Sequence, residues 1–139
     1  MAQRVADVMT GNPATIEAGG RIADAAALMR NNDTGAVIVT DNGRVSGIVT
    51  DRDIAVRAVA DEKGPDTPVR DVCSGGDVAT VGPDTSIDQA ARLMRQKAVR
   101  RLPVVEKDRA VGVVSIGDLA MEKDPNSALA DISSAEGNR

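Results

Sequence analysis

Shifted by 65 residues, this chain lies on top of itself. Ile22-Ala23-Asp24-Ala25-Ala26-Ala27-Leu28-Met29-Arg30 falls on Ile87-Asp88-Gln89-Ala90-Ala91-Arg92-Leu93-Met94-Arg95. Val37-Ile38-Val39 falls on Leu102-Pro103-Val104, and Gly47-Ile48-Val49-Thr50-Asp51-Arg52-Asp53-Ile54 on Gly112-Val113-Val114-Ser115-Ile116-Gly117-Asp118-Leu119. Upstream, Val5-Ala6-Asp7-Val8 matches Val69-Arg70-Asp71-Val72 at a shift of 64. A constant offset over separate blocks marks a duplication, so the fold must be assembled from two copies of one small unit.

Each copy follows the same plan. Ala14-Thr15-Ile16 and Ala79-Thr80-Val81 are short strand candidates. Apolar residues at helical spacing follow, Ile22, Ala25, Ala26 and Met29 in the first copy and Ile87, Ala90, Ala91 and Met94 in the second. Asp84, Thr85 or Ser86 supplies a helix cap in the second copy. Ala36–Thr40 and Leu102–Glu106 are β-rich, and the turns at Asn42-Gly43 and Lys107-Asp108 return the chain along Val45–Val49 and Val111–Val114. Helices begin again near Asp51 and Ile116. The expected boundaries are 1–60 for the first repeat, 61–68 for a polar linker with one Gly and two Pro, 69–122 for the second repeat, and 123–139 for a flexible tail.

The interior must be built without a single aromatic residue. Burying one Val, Leu, Ile or Met gives about 1.5–3 kcal/mol, which leaves a lone unit of about 60 residues marginal. The sequence therefore predicts an α+β fold of two pseudo-symmetric β-α-β-β-α repeats packed through their sheets, with a crevice between them.

Composition removes most chemistries. Among 139 residues there is no His and one Cys, Cys73. Ser-His-Asp and Cys-His nucleophilic sites and Cys/His zinc sites are thereby excluded, and no catalytic or metal site is expected. Cys73 reads as a small, half-buried apolar residue, and a lone cysteine fits a reducing cytoplasm. A net charge of −4 without stacking residues disfavours nucleic acid. No apolar run reaches signal-peptide or membrane-span length. Gly75-Gly76 reads as a turn and lacks the phosphate-loop glycine pattern.

The pattern apolar-Gly-apolar-apolar-[Thr/Ser]-x-x-Asp closes each copy, as Gly47–Asp53 and Gly112–Asp118. With the Val-x-Asp-Val-Met opening at Val5–Met9 and the run Val99-Arg100-Arg101-Leu102-Pro103-Val104-Val105, the chain resembles the CBS (cystathionine β-synthase-type) domain pair, or Bateman module. It is similar to the small stand-alone type that includes hypoxic-response proteins. The resemblance covers Val5 to about Met121.

What it implies is binding without catalysis. The expected ligand is an adenine nucleotide (AMP, ADP or ATP) or S-adenosylmethionine, with no cofactor required. By the resemblance, Asp53 and Asp118 each hold a ribose, while Thr50 and Ser115 bond ribose or phosphate oxygens. Thr15, Ile16, Thr80 and Val81, with Ala36 and Val37, wall the adenine. Arg101 is the expected phosphate ligand, with Arg100 beside it; the first repeat has Gly35-Ala36 there, so the Ser115/Asp118/Arg101 pocket should be the stronger. Thr-x-x-Asp and Ser-x-x-Asp also fit a capping box, a role compatible with ligand binding. The resemblance further implies a homodimer, a role in energy or stress signalling, and an effector acting in trans. The competing reading is a structural protein with empty clefts.

Overall fold

The computed structural model describes residues 4–75 and 78–123. Two compact units emerge, and they do not follow the repeat boundaries. One is Ala14–Val78; the other joins the described parts of Met1–Pro13 and Ala79–Arg139. The expected tail at 124–139, and Gly76 of the expected turn, lie outside the described residues.

In the Ala14–Val78 unit, β2 (Thr15–Glu17) runs parallel to β3 (Ala36–Asp41), with α1 (Ile22–Asn32) as the crossover. The Asn42-Gly43 turn, with φ of 54° and 83°, sends β4 (Arg44–Thr50) back antiparallel, as the Asn-Gly pair predicts. A two-residue strand, β5 (Ser74–Gly75), pairs with the far edge of β4, giving the order β2-β3-β4-β5. After β4 the chain turns into α2 (Asp51–Ile54), which continues as a π-helical segment over Ala55–Val59.

The core of this unit is Ile22, Ala25 and Met29 of α1 against Val37, Val39 and Val49, closed by Ala58, Val69 and Val72. Ala26, expected on the same helix face, is exposed; Ala25 and Met29 define the buried stripe. Cys73 packs half-buried at the core margin, and burial pushes its thiol pKa up. The expected linker at 61–68 is stitched to α1. Thr67 and Pro65 carbonyls accept from Ile22 N at 2.8 Å and Ala23 N at 3.1 Å, and Arg21 pairs with Asp66 at 2.6 Å. The helix N–H groups that no side chain caps thus find their acceptors in this segment.

The second unit repeats the plan. α3 (Ile87–Lys97) starts at Ser86, whose hydroxyl accepts from Gln89 N while Gln89 reaches back to Ser86 N, so Ser86 is the cap among the three candidates. β6 (Arg101–Glu106) and β7 (Arg109–Ser115) form the hairpin, and α4 (Ile116–Lys123) follows. The expected strand at Ala79–Val81 contracts to one parallel bridge, Val81 to Val104. β1 (Thr10–Gly11) pairs with the far edge of β7, the place β5 takes on β4. Val5 packs with Val81, Ala90, Met94, Leu102, Val104, Val114 and Leu119 in the core.

The short opening segment of each repeat therefore completes the other repeat's sheet. Val5 N and Ala6 N donate to Thr85 and Pro83 carbonyls at 2.8 and 2.9 Å, while Val69 N donates to Gly20 O at 2.8 Å. Gly112 is required here, because a Cβ on it would lie 2.5 Å from Met9 Sδ and 2.9 Å from Thr10 O.

Candidate functional site

Both Thr/Ser-x-x-Asp motifs form reciprocal caps at the point where a strand becomes a helix. Asp53 N donates to Thr50 Oγ1 at 3.1 Å, and Thr50 N donates to Asp53 Oδ2 at 3.0 Å. In the second repeat Asp118 N donates to Ser115 Oγ at 3.1 Å and Ser115 N to Asp118 Oδ2 at 2.9 Å. Each motif keeps two groups out of the cap: the hydroxyl hydrogen of Thr50 or Ser115, and the Oδ1 of the aspartate. A carboxylate oxygen beside a hydroxyl donor suits a sugar hydroxyl, through a charge-assisted hydrogen bond. Asp53 is 8% exposed and Asp118 half-buried, so neither carboxylate stands in bulk water.

The motifs differ in their basic neighbours. Arg101 opens β6 directly across the ladder from Ser115. Residues so placed have Cβ atoms roughly 4.5–5.5 Å apart. Among the described residues no carboxylate pairs with Arg101 or Arg100. Arg101 is half-buried; Arg100 is exposed, and its carbonyl accepts from Ile116 N at 2.8 Å. In the first repeat the residue across from Thr50 is Ala36. A different cation approaches Asp53 instead: Arg57, four residues on, brings Nε to 3.9 Å from Oδ1 and donates to Val72 O at 3.4 Å. Arg57 remains largely exposed, and its i, i+4 spacing from Asp53 is what brings the two together.

The expected adenine walls are placed unequally. Thr15 is exposed and Ile16 half-buried, packed against the Ala14–Val78 core. Ala36 and Val37 are 7% and 1% exposed, and Val37 belongs to the core. Val81 is a core residue too, and both its backbone groups are committed to β6, donating to Pro103 O at 3.1 Å and accepting from Val105 N at 2.8 Å. Thr80 is exposed and borders a hollow of about 720 Å³ in the second unit, whose lining includes none of Ser115, Asp118 and Arg101. Val81 also lines this hollow.

Among the described residues no cluster of His, Cys, Asp or Glu has metal-site geometry, and no helix is long and apolar enough to cross a membrane.

Comparison with known proteins agrees with this architecture. The CBS domain family model matches twice, over residues 5–59 and 69–123. The CBS domain-containing protein YhcV of Bacillus subtilis is 40% identical over 133 residues, 93% of this chain and 94% of the relative. Hypoxic response protein 1 of Mycobacterium tuberculosis is 31% identical over 115 residues, covering 82% and 80%. Among solved structures, the CBS domain pair of protein MJ0100, in complex with 5-methylthioadenosine and S-adenosyl-L-methionine, superposes with a TM-score of 0.80 over 91% of this chain and all of that one. At 24% identity it speaks for the fold. Two matched copies, a repeat-for-repeat architecture and a motif closing each copy lead to one statement: the chain belongs to the CBS-domain family, as a tandem pair.

Proposed function

We propose that this CBS pair is a non-catalytic, cytoplasmic regulatory module that binds an adenine nucleotide or S-adenosylmethionine and signals energy or stress status through a homodimer. The observation that carries the reading is at the start of α4. Among the described residues, Ser115 and Asp118 satisfy their helix while leaving a hydroxyl hydrogen and a carboxylate oxygen uncommitted, and Arg101 across the strand pairs with no carboxylate. Ribose hydroxyls and a phosphate are the groups such a set can hold. Adenosine-containing ligands in another pair of this fold support the class.

The Thr50/Asp53 motif is the weaker pocket. It has Ala36 in place of Arg101, and Arg57 lies near the carboxylate oxygen that a ribose would need. That contact also favours a second reading for the first repeat, in which its motif serves only the helix.

Because the chain has no Trp, Tyr or Phe, a purified sample that absorbs at 260 nm and, once denatured and filtered, passes that absorbance into the protein-free filtrate carries a nucleotide. Thermal shift with AMP, ADP, ATP and S-adenosylmethionine is the quantitative test. Ligand at about 100 times its Kd adds about 2.7 kcal/mol to stability. Absence of both signals would leave the interaction-protein reading in its place.

A further inference from the structure

The two hairpin turns are copies of each other, yet what stands beside them differs. In the first repeat Glu17 fills the space. Its Oε1 accepts from Asn42 N at 3.0 Å, and its Oε2 accepts from the Thr40 hydroxyl. The Thr40 hydroxyl bond holds the Glu17 carboxyl below the usual carboxylate range, aided by the Asn42 and Gly43 N–H groups. This type of turn leaves two N–H groups outside the ladder, and here a carboxylate takes them.

In the second repeat the turn is Lys107-Asp108, with φ of 52° and 67°. Gly82 stands 65 residues after Glu17, and Val105 at the same distance from Thr40. Among the described residues no acceptor meets the N–H of Lys107 or Asp108. In the absent carboxylate's place is the hollow of about 720 Å³, whose lining includes Gly82, Thr85, Gln89, Arg92, Gln96 and Lys107.

The exchange of charge is one-sided. Glu17, Ala27 and Asn42 of the first repeat become Gly82, Arg92 and Lys107 in the second. Asp24 and Gly43 likewise become Gln89 and Asp108, so two carboxylates are lost, one is gained and two cations are gained. Gln89 uses its carbonyl oxygen on Ser86 N and Thr85 its oxygen on Gly82 N, so an amide and a hydroxyl remain as donors. Nothing demands glycine at position 82. Its φ lies outside the left-handed region, and a Cβ would meet nothing nearer than Thr85 Oγ1 at 3.8 Å. The hollow also falls within the roughly 300–1,000 Å³ usual for small-molecule sites.

We propose that this hollow binds a small dicarboxylic acid, one carboxylate taking the place that Glu17 holds in the first repeat and the other meeting Arg92. The bound carboxylate accepts from the Lys107 and Asp108 N–H groups, with the Lys107 ammonium adding charge and the glutamine amides closing the side. Two cations and this volume exceed what a monocarboxylate uses. The proposed contacts use none of Ser115, Asp118 and Arg101, while Thr80 and Val81, expected to wall the adenine, lie on the border of the same hollow.

The test is an amide ¹H–¹⁵N titration of the full chain with succinate, beside sodium chloride at matched ionic strength and inorganic phosphate. Succinate should move the Lys107 and Asp108 amides saturably while Asn42 and Gly43, whose acceptor is built in, stay still. Arg92→Ala, on an exposed helix position, should weaken the succinate response about tenfold, the scale of a charged hydrogen bond. Gly82→Glu supplies the carboxylate within the chain and should abolish the response, with the rest of the spectrum reporting that the fold is intact. An equal response to chloride, movement of Asn42 and Gly43 alongside, tighter binding of phosphate, or an unchanged titration in Arg92→Ala would overturn the proposal.

Discussion

Asp53 and Asp118 occupy equivalent positions and make equivalent caps, but their remaining oxygens meet different surroundings. Asp53 has Arg57 at 3.9 Å, whereas Asp118 has no ion pair among the described residues. In thermal-shift titrations Asp118→Ala and Arg101→Ala should each reduce nucleotide affinity by about 1.5–3 kcal/mol, the scale for bonds to charged groups. Arg30→Ala, at an exposed helix position, should leave it unchanged, and equal losses in all three would remove the pocket assignment. Arg57→Ala should not weaken binding at the first motif, since it frees Asp53 Oδ1. Glu17 makes a separate prediction. Its folded pKa is lowered from the ordinary 4.5, so its charge stabilises the fold at neutral pH, and that contribution disappears as pH falls through the lowered value. Glu17→Gln should melt at lower temperature than the parent at pH 7, and the gap should close in acid below pH 4.5. A constant gap across that range would place the effect in shape rather than charge. At this scale the sequence was legible where a motif names its own geometry, as in the two caps. It did not show that Val81 joins the core and spends its backbone on β6, because a strand residue's burial and backbone partners depend on which neighbour arrives beside it.

Helices and hairpins were readable because each is specified locally: apolar spacing for α1 and α3, Asn-Gly for the first turn, Ser86 with Gln89 for a cap. The edge strands were not. The openings Val5-Ala6-Asp7-Val8 and Val69-Arg70-Asp71-Val72 are so alike that either would suit either sheet, and only chain connection decides between them. For the same reason the supposed linker is built into its unit through Arg21, Ile22 and Ala23. Gly112 permits β1 to approach β7 closely, so Gly112→Ala must push away Met9 or the Thr10 carbonyl. The expected cost is about 1–3 kcal/mol, the range for overpacking, measured by denaturant or thermal unfolding. Gly82→Ala, where a Cβ has room, is the matched control and should cost far less. Similar losses at both positions would show that the close strand approach contributes nothing special.

For the molecule as a whole, the absence of aromatic residues is met by two small aliphatic cores, one per unit, each drawing on both ends of its hairpin. Several apolar side chains remain outside them on the helical elements: Val56 and Val59 at 48% and 66% exposure, Ile116 and Met121 at 44% and 40%. Exposed aliphatics repeated after both hairpins accord with the proposed homodimer. Sedimentation should give twice the 14.4 kDa chain mass, and Val59→Glu with Met121→Glu should shift it toward the monomer. A monomeric parent protein would end the dimer proposal. The interlaced chain path has a further result during synthesis. The Ala14–Val78 unit is continuous and can close once its last residue leaves the ribosome. Residues 4–13, translated ahead of that unit, must wait for a hairpin translated after it. The opening segment thus waits for its seat until the second hairpin is made, and ribosome-bound chains in which residues up to Val78 have just emerged should protect the Ala14–Val78 unit from protease while leaving the segment before it open to cleavage.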